Sequence, residues 1–100
     1  MTVMTSHHHV IVRFQLDSEQ ELFELVNLIN ELEEIVKTSP DFISAKLHRN
    51  VEGTVLINYA TWTSPQAYES FWKAYVVDTE TNKKIKSYKP MVDQVFALQQ

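Results

Sequence analysis

Cysteine is absent from this 100-residue chain, and glycine occurs only once. Without cysteine there is no disulfide framework, no thiolate nucleophile and no thiolate metal site. That absence fits a reducing compartment and sets the expected location as the cytoplasm. No segment is rich in Gly, Ser or Pro, so no linker, repeat or low-complexity stretch divides the chain. No apolar run approaches the ~18–20 residues that a bilayer span requires. A basic region followed by an apolar stretch is also missing at the N-terminus, so no secretory signal is expected. Positive charge is in deficit: nine Lys and Arg stand against 13 Asp and Glu, for a net charge of −4. With a pI near 5.5, neither nucleic acid nor an anionic membrane is an expected partner.

What is present is apolar surface, with 44% hydrophobic and 11% aromatic residues. The length fits one domain over residues 1–100 with one core. Domains of this size bury only part of their surface, which makes self-association an expectation. His7, His8 and His9 run directly into an apolar stretch and are read as natural sequence rather than a shortened tag. Two histidines at i and i+2 share one side of a strand, but a metal site needs further ligands and a second shell. Nothing nearby supplies them, and no metal is expected.

Periodicity organises the chain. Residues 8–16 alternate, with Val10, Val12, Phe14 and Leu16 on one side and Ile11, Arg13 and Gln15 on the other, as in a half-buried strand. Ser18 and Glu21 have capping-box spacing and open a helix. Its stripe runs Leu22, Leu25, Val26, Ile29, Leu32, Glu33 and Val36, apolar except at Glu33. Pro40 stops it, because the residue before proline avoids the α region. Residues 42–50 and 55–62 read as two strands around a turn, with Gly53 where a positive φ costs least. Ser64 and Pro65 suit the N-cap and first position of a second helix reaching about Val77. Asp78 to Ser87 is polar with room for another helical turn, and Val92 to Leu98 reads as a last strand.

The order β-α-β-β-α-β is the ferredoxin-like arrangement. It predicts an α+β fold, a four-stranded antiparallel sheet with its helices on one face. The other face contains stretches apolar on both sides, such as Val55-Leu56-Ile57, and calls for a cover. A homodimer packed sheet to sheet supplies one; a monomer with scattered exposed apolar residues is the alternative.

The run from Asp41-Phe42-Ile43-Ser44-Ala45 through His48, Glu52-Gly53-Thr54 and Asn58-Tyr59-Ala60-Thr61-Trp62-Thr63-Ser64 to Ala67-Tyr68 resembles the antibiotic biosynthesis monooxygenase family. In that family a Gly-Phe-x-Ser-Ala strand reaches a His, an acidic-Gly turn follows, and the next strand ends Asn-Tyr-x-x-Trp-x-Ser. Asp41 departs from the glycine usual there, which concerns the turn and not the site. The resemblance implies a dimeric α+β barrel. Its members include oxygenases, haem-degrading enzymes, isomerases and proteins of no known reaction.

Read as residues, Asn58, Ala60 and Trp62 share one side of a strand, with ~13 Å between the Cα atoms of Asn58 and Trp62 at ~3.3 Å per residue. An amide and an indole so placed, with the Tyr68 phenol at the rim, suit a flat aromatic or quinone-like molecule. The plainer reading takes Asn58 as a satisfied structural amide and Trp62 and Tyr68 as core or interface aromatics. The spacing of the three matches what cofactor-free, quinone-forming members use. The resemblance thus implies a monooxygenase that turns a phenolic or polycyclic aromatic substrate into a quinone with O2, without metal or flavin. Asn58 and Trp62 would donate to the developing oxyanion and Tyr68 would orient the substrate or relay a proton. His48, ten residues before Asn58 on the paired strand, is the expected general base, since histidine ordinarily titrates near neutral pH; as an exposed strand residue beside Arg49 it would have no such role. Lys84 and Lys86 are weaker candidates for a late cationic group, and Trp72 fits either the pocket or the core.

Haem-binding members hold the iron with a histidine about ten residues after the equivalent of Trp62. Here position 72 is Trp and no histidine follows His48, which leaves no axial imidazole. A non-catalytic small-molecule-binding or stress-response module, and an isomerase acting on a small hydroxy-ketone, are the other readings.

Overall fold

The computed structural model describes residues 7–98. Four strands, β1 (His8–Gln15), β2 (Phe42–Arg49), β3 (Val55–Trp62) and β4 (Met91–Phe96), form one sheet in the order β2-β3-β1-β4. All neighbours are antiparallel. Between them run α1 (Glu19–Val36), α2 (Pro65–Phe71) and α3 (Glu80–Lys86). The fold is the expected α+β, ferredoxin-like one.

Local chemistry starts the helices as the sequence predicts. The Ser18 hydroxyl accepts from the Glu21 N–H at 3.2 Å, and the Glu21 carboxylate reaches back to the Asp17 N–H at 2.9 Å. These bonds satisfy amides that the first turn leaves free. Ser64 caps α2 in the same way through the Ala67 N–H, with Pro65 in the first turn. Leu22, Leu25, Ile29, Leu32 and Val36 are the buried stripe of α1. They pack on Val10, Phe14, Leu56, Ala60 and Trp62 of the sheet.

Some boundaries differ from expectation, and one open stretch is settled. The helix expected to reach Val77 is α-helical only to Phe71 and continues as a π turn over Trp72–Val76. Its Val77 N–H donates to the Trp72 carbonyl at 2.9 Å, one residue longer than an α-helical bond. The possible turn in the polar stretch is α3, capped by the Thr79 hydroxyl. The last strand spans Met91–Phe96 and not Val92 to Leu98, because Phe96 pairs with His8, the first residue of β1.

At the β2–β3 turn, Gly53 has φ +76°. The Asn50 side chain accepts from the Thr54 and Val55 N–H groups at 2.8 and 2.9 Å, which ends β2 at Arg49 rather than Asn50. An Arg49–Glu19 ion pair at 3.0 Å lies over the glycine and ties the turn to α1.

The far side of the sheet carries Ile11, Ile57 and Tyr59, with Tyr59 and Met91 exposed. His9 lies there against the Tyr59 ring, centroids 5.3 Å apart, and shares a 3.0 Å hydrogen bond with Thr61. No helix among the described residues is long and apolar enough to cross a membrane.

Candidate functional site

A cavity of about 450 Å³ opens between the sheet and the helices. That is the size of a small-molecule site. Its floor is the even-numbered side of β1 and β3, with Val10, Val12, Phe14, Asn58, Ala60 and Trp62; Ile29, Leu32, Glu33 and Val36 of α1 and Tyr68 and Trp72 of the second helical segment form the walls.

Asn58 sits in the middle of the floor, opposite Val12 on one side and Leu47 on the other. Its neighbours are thus apolar, and its Oδ1 is buried with no hydrogen-bond partner among the described residues. A buried acceptor left unpaired costs ~1–3 kcal/mol, so such a group is a departure from the rule of satisfied interiors. The satisfied-amide reading of Asn58 is not what the structure shows.

Trp62 is only 1% exposed. Its indole is boxed by Phe42 (5.4 Å between centroids), Tyr68 (5.4 Å) and Phe71 (5.8 Å). A β-bulge makes this possible: β2 slips register between Phe42 and Ser44, which puts Phe42 on the same face as Ala45 and Leu47. Alternation alone would have sent Phe42 to the other side.

Tyr68 extends the aromatic wall to Trp72, with centroids 5.3 Å apart. Burial, and secondarily the charge of Glu69, push its phenol above the ordinary value of 10.0. The hydroxyl therefore stays protonated at neutral pH and serves as a hydrogen-bond donor. Behind Tyr68 packs His8, buried at 2% exposure with ring centroids 5.6 Å away. Its Nε2 donates to Gln94 at 2.8 Å, while its Nδ1 has no partner among the described residues. The N-terminal histidines were thus legible as a motif but not as support for Tyr68.

The structure brings Asn58, Trp62 and Tyr68 together and separates His48 from them. Leu47 is the cross-strand partner of Asn58, and His48 pairs with Ile57. Since successive strand residues face opposite sides, His48 is exposed on the far side of the sheet and does not line the cavity. Its expected role as base to a ligand there is withdrawn. Lys86 lines the cavity and Lys84 does not. Trp72 belongs to the pocket wall. Asn82, missed in the sequence, also lines the cavity, but it is anchored to α3: its N–H donates to Thr79 and its side-chain amide to the Val77 carbonyl at 3.4 Å. Among the described residues, no three of His, Cys, Asp and Glu gather as a metal site would require.

These features define a ferredoxin-like α+β protein with an aromatic pocket between sheet and helices. Solved structures with this fold agree. A monooxygenase from the gene ActVA-Orf6 of Streptomyces coelicolor, in complex with Nanaomycin D, is 23% identical, covers 96% of this chain and 91% of its own, and superposes with a TM-score of 0.75. A dimeric ferredoxin-like protein from an uncultured marine organism is 12% identical over 95% of this chain and 90% of its own, TM-score 0.73. A protein described as an antibiotic biosynthesis monooxygenase is 15% identical over 92% and 99%, TM-score 0.69. The chain shares the fold of the antibiotic biosynthesis monooxygenase proteins. No protein-family profile matches the chain. No curated protein matches it either.

Proposed function

We propose that the cavity is the active site of a cofactor-independent monooxygenase, which oxidises a phenolic or polycyclic aromatic substrate to a quinone with O2. The observation that carries this reading is the unpaired, buried amide oxygen of Asn58 on the floor of an aromatic-walled pocket. A protein interior has no use for an orphaned acceptor, whereas a ligand hydroxyl can donate to it. The fold shared with a monooxygenase that binds Nanaomycin D supports the same reading.

In this mechanism a flat substrate lies against Trp62, Tyr68 and Trp72, whose faces offer stacking area. The amide N–H of Asn58 and the indole N–H of Trp62 stabilise the oxygen that gains charge as the substrate loses a proton. Tyr68, kept protonated by burial, orients the substrate from the rim. The carbanion reduces O2, and the peroxide collapses to quinone and water. The apolar walls keep bulk water from the intermediate.

The far face of the sheet, with Ile11, Ile57 and Tyr59, pairs with a second copy of the chain in this reading. That arrangement covers the apolar residues left outside the core.

Oxygen uptake with an anthrone or hydroquinone, measured for wild type and Asn58→Ala, tests the proposal. Uptake by wild type that falls about 10²-fold or more in the variant is the expected result, the scale of losing one oxyanion donor. Binding of a quinone without any uptake would make the protein a binding module instead.

A further inference from the structure

The wall contributed by α1 holds a residue that packing does not explain. Glu33 stands in the same helical stripe as Ile29, Leu32 and Val36, three positions that are buried and apolar. Residues three and four apart share a helix face, so the chain places a half-buried glutamate in the cavity wall. No ion pair among the described residues holds it, although its charge also acts on Lys37 one turn on. Lys37 bonds Glu34 at 2.8 Å and not Glu33. Among the described residues the three ion pairs use Glu34, Glu19 and Glu80, and no hydrogen bond involves the Glu33 side chain. An acidic side chain among apolar lining residues adds nothing to packing, and a few polar groups of this kind are what a binding pocket places to act on its ligand.

We propose that Glu33 is the general base of this site, taking the proton whose loss starts the oxidation; the inference rests on the oxygenase reading given above. Elimination among the lining residues points the same way. The other ionisable side chains lining the cavity are Lys46, Lys86 and Tyr68, and burial pushes the Tyr68 phenol up from its ordinary value of 10.0. His48 is on the wrong face of the sheet. His8 lies behind Tyr68 and does not line the cavity.

The steps balance for a methylene flanked by aromatic rings. The Glu33 carboxylate takes one C–H proton, and the carbanion transfers its electrons to O2 as the C–O bond forms. The peroxide takes that proton back from Glu33 and becomes a hydroperoxide. Glu33 then removes the second C–H proton while the O–O bond breaks. The carbon becomes a carbonyl, and the departing hydroxide takes the proton from Glu33 and leaves as water. One O2 is consumed, one water is released, and Glu33 ends as it began. The Lys86 ammonium lines the same cavity without pairing with Glu33, in a position to favour anionic intermediates.

The experiment uses anthrone and the full chain in two arms. Without oxygen, NMR follows exchange of the anthrone methylene protons with D2O; with oxygen, uptake and anthraquinone formation are recorded. Glu33→Gln keeps size and hydrogen bonding but removes the base. It is expected to lower both exchange and kcat by about 10²–10⁴-fold, the usual contribution of a general base. Anthraquinone binding, read by tryptophan fluorescence, is expected to change less than threefold. Glu33→Asp is expected to recover part of the exchange. Exchange in Glu33→Gln within threefold of wild type overturns the assignment. Loss of quinone binding in step with activity, in both Glu33 variants, also overturns it by making Glu33 structural. Wild type that catalyses exchange but consumes no oxygen sinks the oxygenase reading and leaves the base standing. Wild type that does neither removes both.

Discussion

The Tyr68 ring meets the Trp62 indole edge to face, with centroids 5.4 Å apart and planes at 67°. An edge-to-face contact of this kind adds ~0.5–1.5 kcal/mol beyond burial, and it fixes the phenol at the rim of the cavity. Ring and hydroxyl therefore have separable roles. Tyr68→Phe keeps the contact and removes the donor. Its melting temperature is expected within about 3 °C of wild type, while quinone affinity falls roughly 5–10-fold, the scale of one neutral hydrogen bond. Calorimetry and fluorescence titration measure the two, and unchanged affinity would remove the hydroxyl from the site.

Tyr68 also sets an alkaline limit. Burial raises its folded pKa above the ordinary value of 10.0, so the folded state holds the proton more tightly than the unfolded chain. The associated stability is fully present below pH 10 and declines as pH rises through the folded value. Denaturant titrations from pH 8 to 11 are expected to show a fall above pH 10 that is smaller in Tyr68→Phe. Tyr88, also raised, contributes its own share to both proteins.

Gly53 offers a test of the turn. A Cβ there would stand 2.9 Å from Arg49 Nη2 and 3.2 Å from Glu19 Oε2, at φ +76°. Gly53→Ala is expected to lose about 1–2 kcal/mol from the left-handed conformation, plus whatever the displaced Arg49–Glu19 pair contributed. Asn, which tolerates this region better, is expected to lose less. Urea unfolding of the two variants ranks them, and equal losses would point to the contact rather than to φ.

His48 should be dispensable for chemistry. Because it faces away from Asn58, His48→Gln is expected to leave kcat and KM within threefold of wild type. A tenfold fall in kcat would show that the far face takes part in catalysis.

The same face carries the proposed dimer contact. Replacing Ile57 by Glu puts a charge in the centre of that surface, opposite His48 and Arg13. Sedimentation velocity is expected to give a dimer for wild type and a monomer for Ile57→Glu, with the secondary structure retained. A wild-type monomer at micromolar concentration would refute the pairing.

The order of elements, the Ser18 and Ser64 caps, the glycine turn and the face shared by Asn58 and Trp62 were all written in the sequence. Each depends on chain neighbours: a period of two or 3.6 residues, a side chain reaching three positions along, or one residue free to take positive φ. Three things were not legible in those local patterns. The slip between Phe42 and Ser44 carried Phe42 onto Trp62, and the π turn followed Tyr68 with Trp72 in the pocket wall. Above all, the pairing of Leu47 with Asn58 put His48 behind the sheet, where a one-residue difference in register reverses the face. The sequence named Asn58, Trp62 and Tyr68, and only the packing of α1 across from them made a pocket residue of Glu33, the one break in an otherwise apolar stripe.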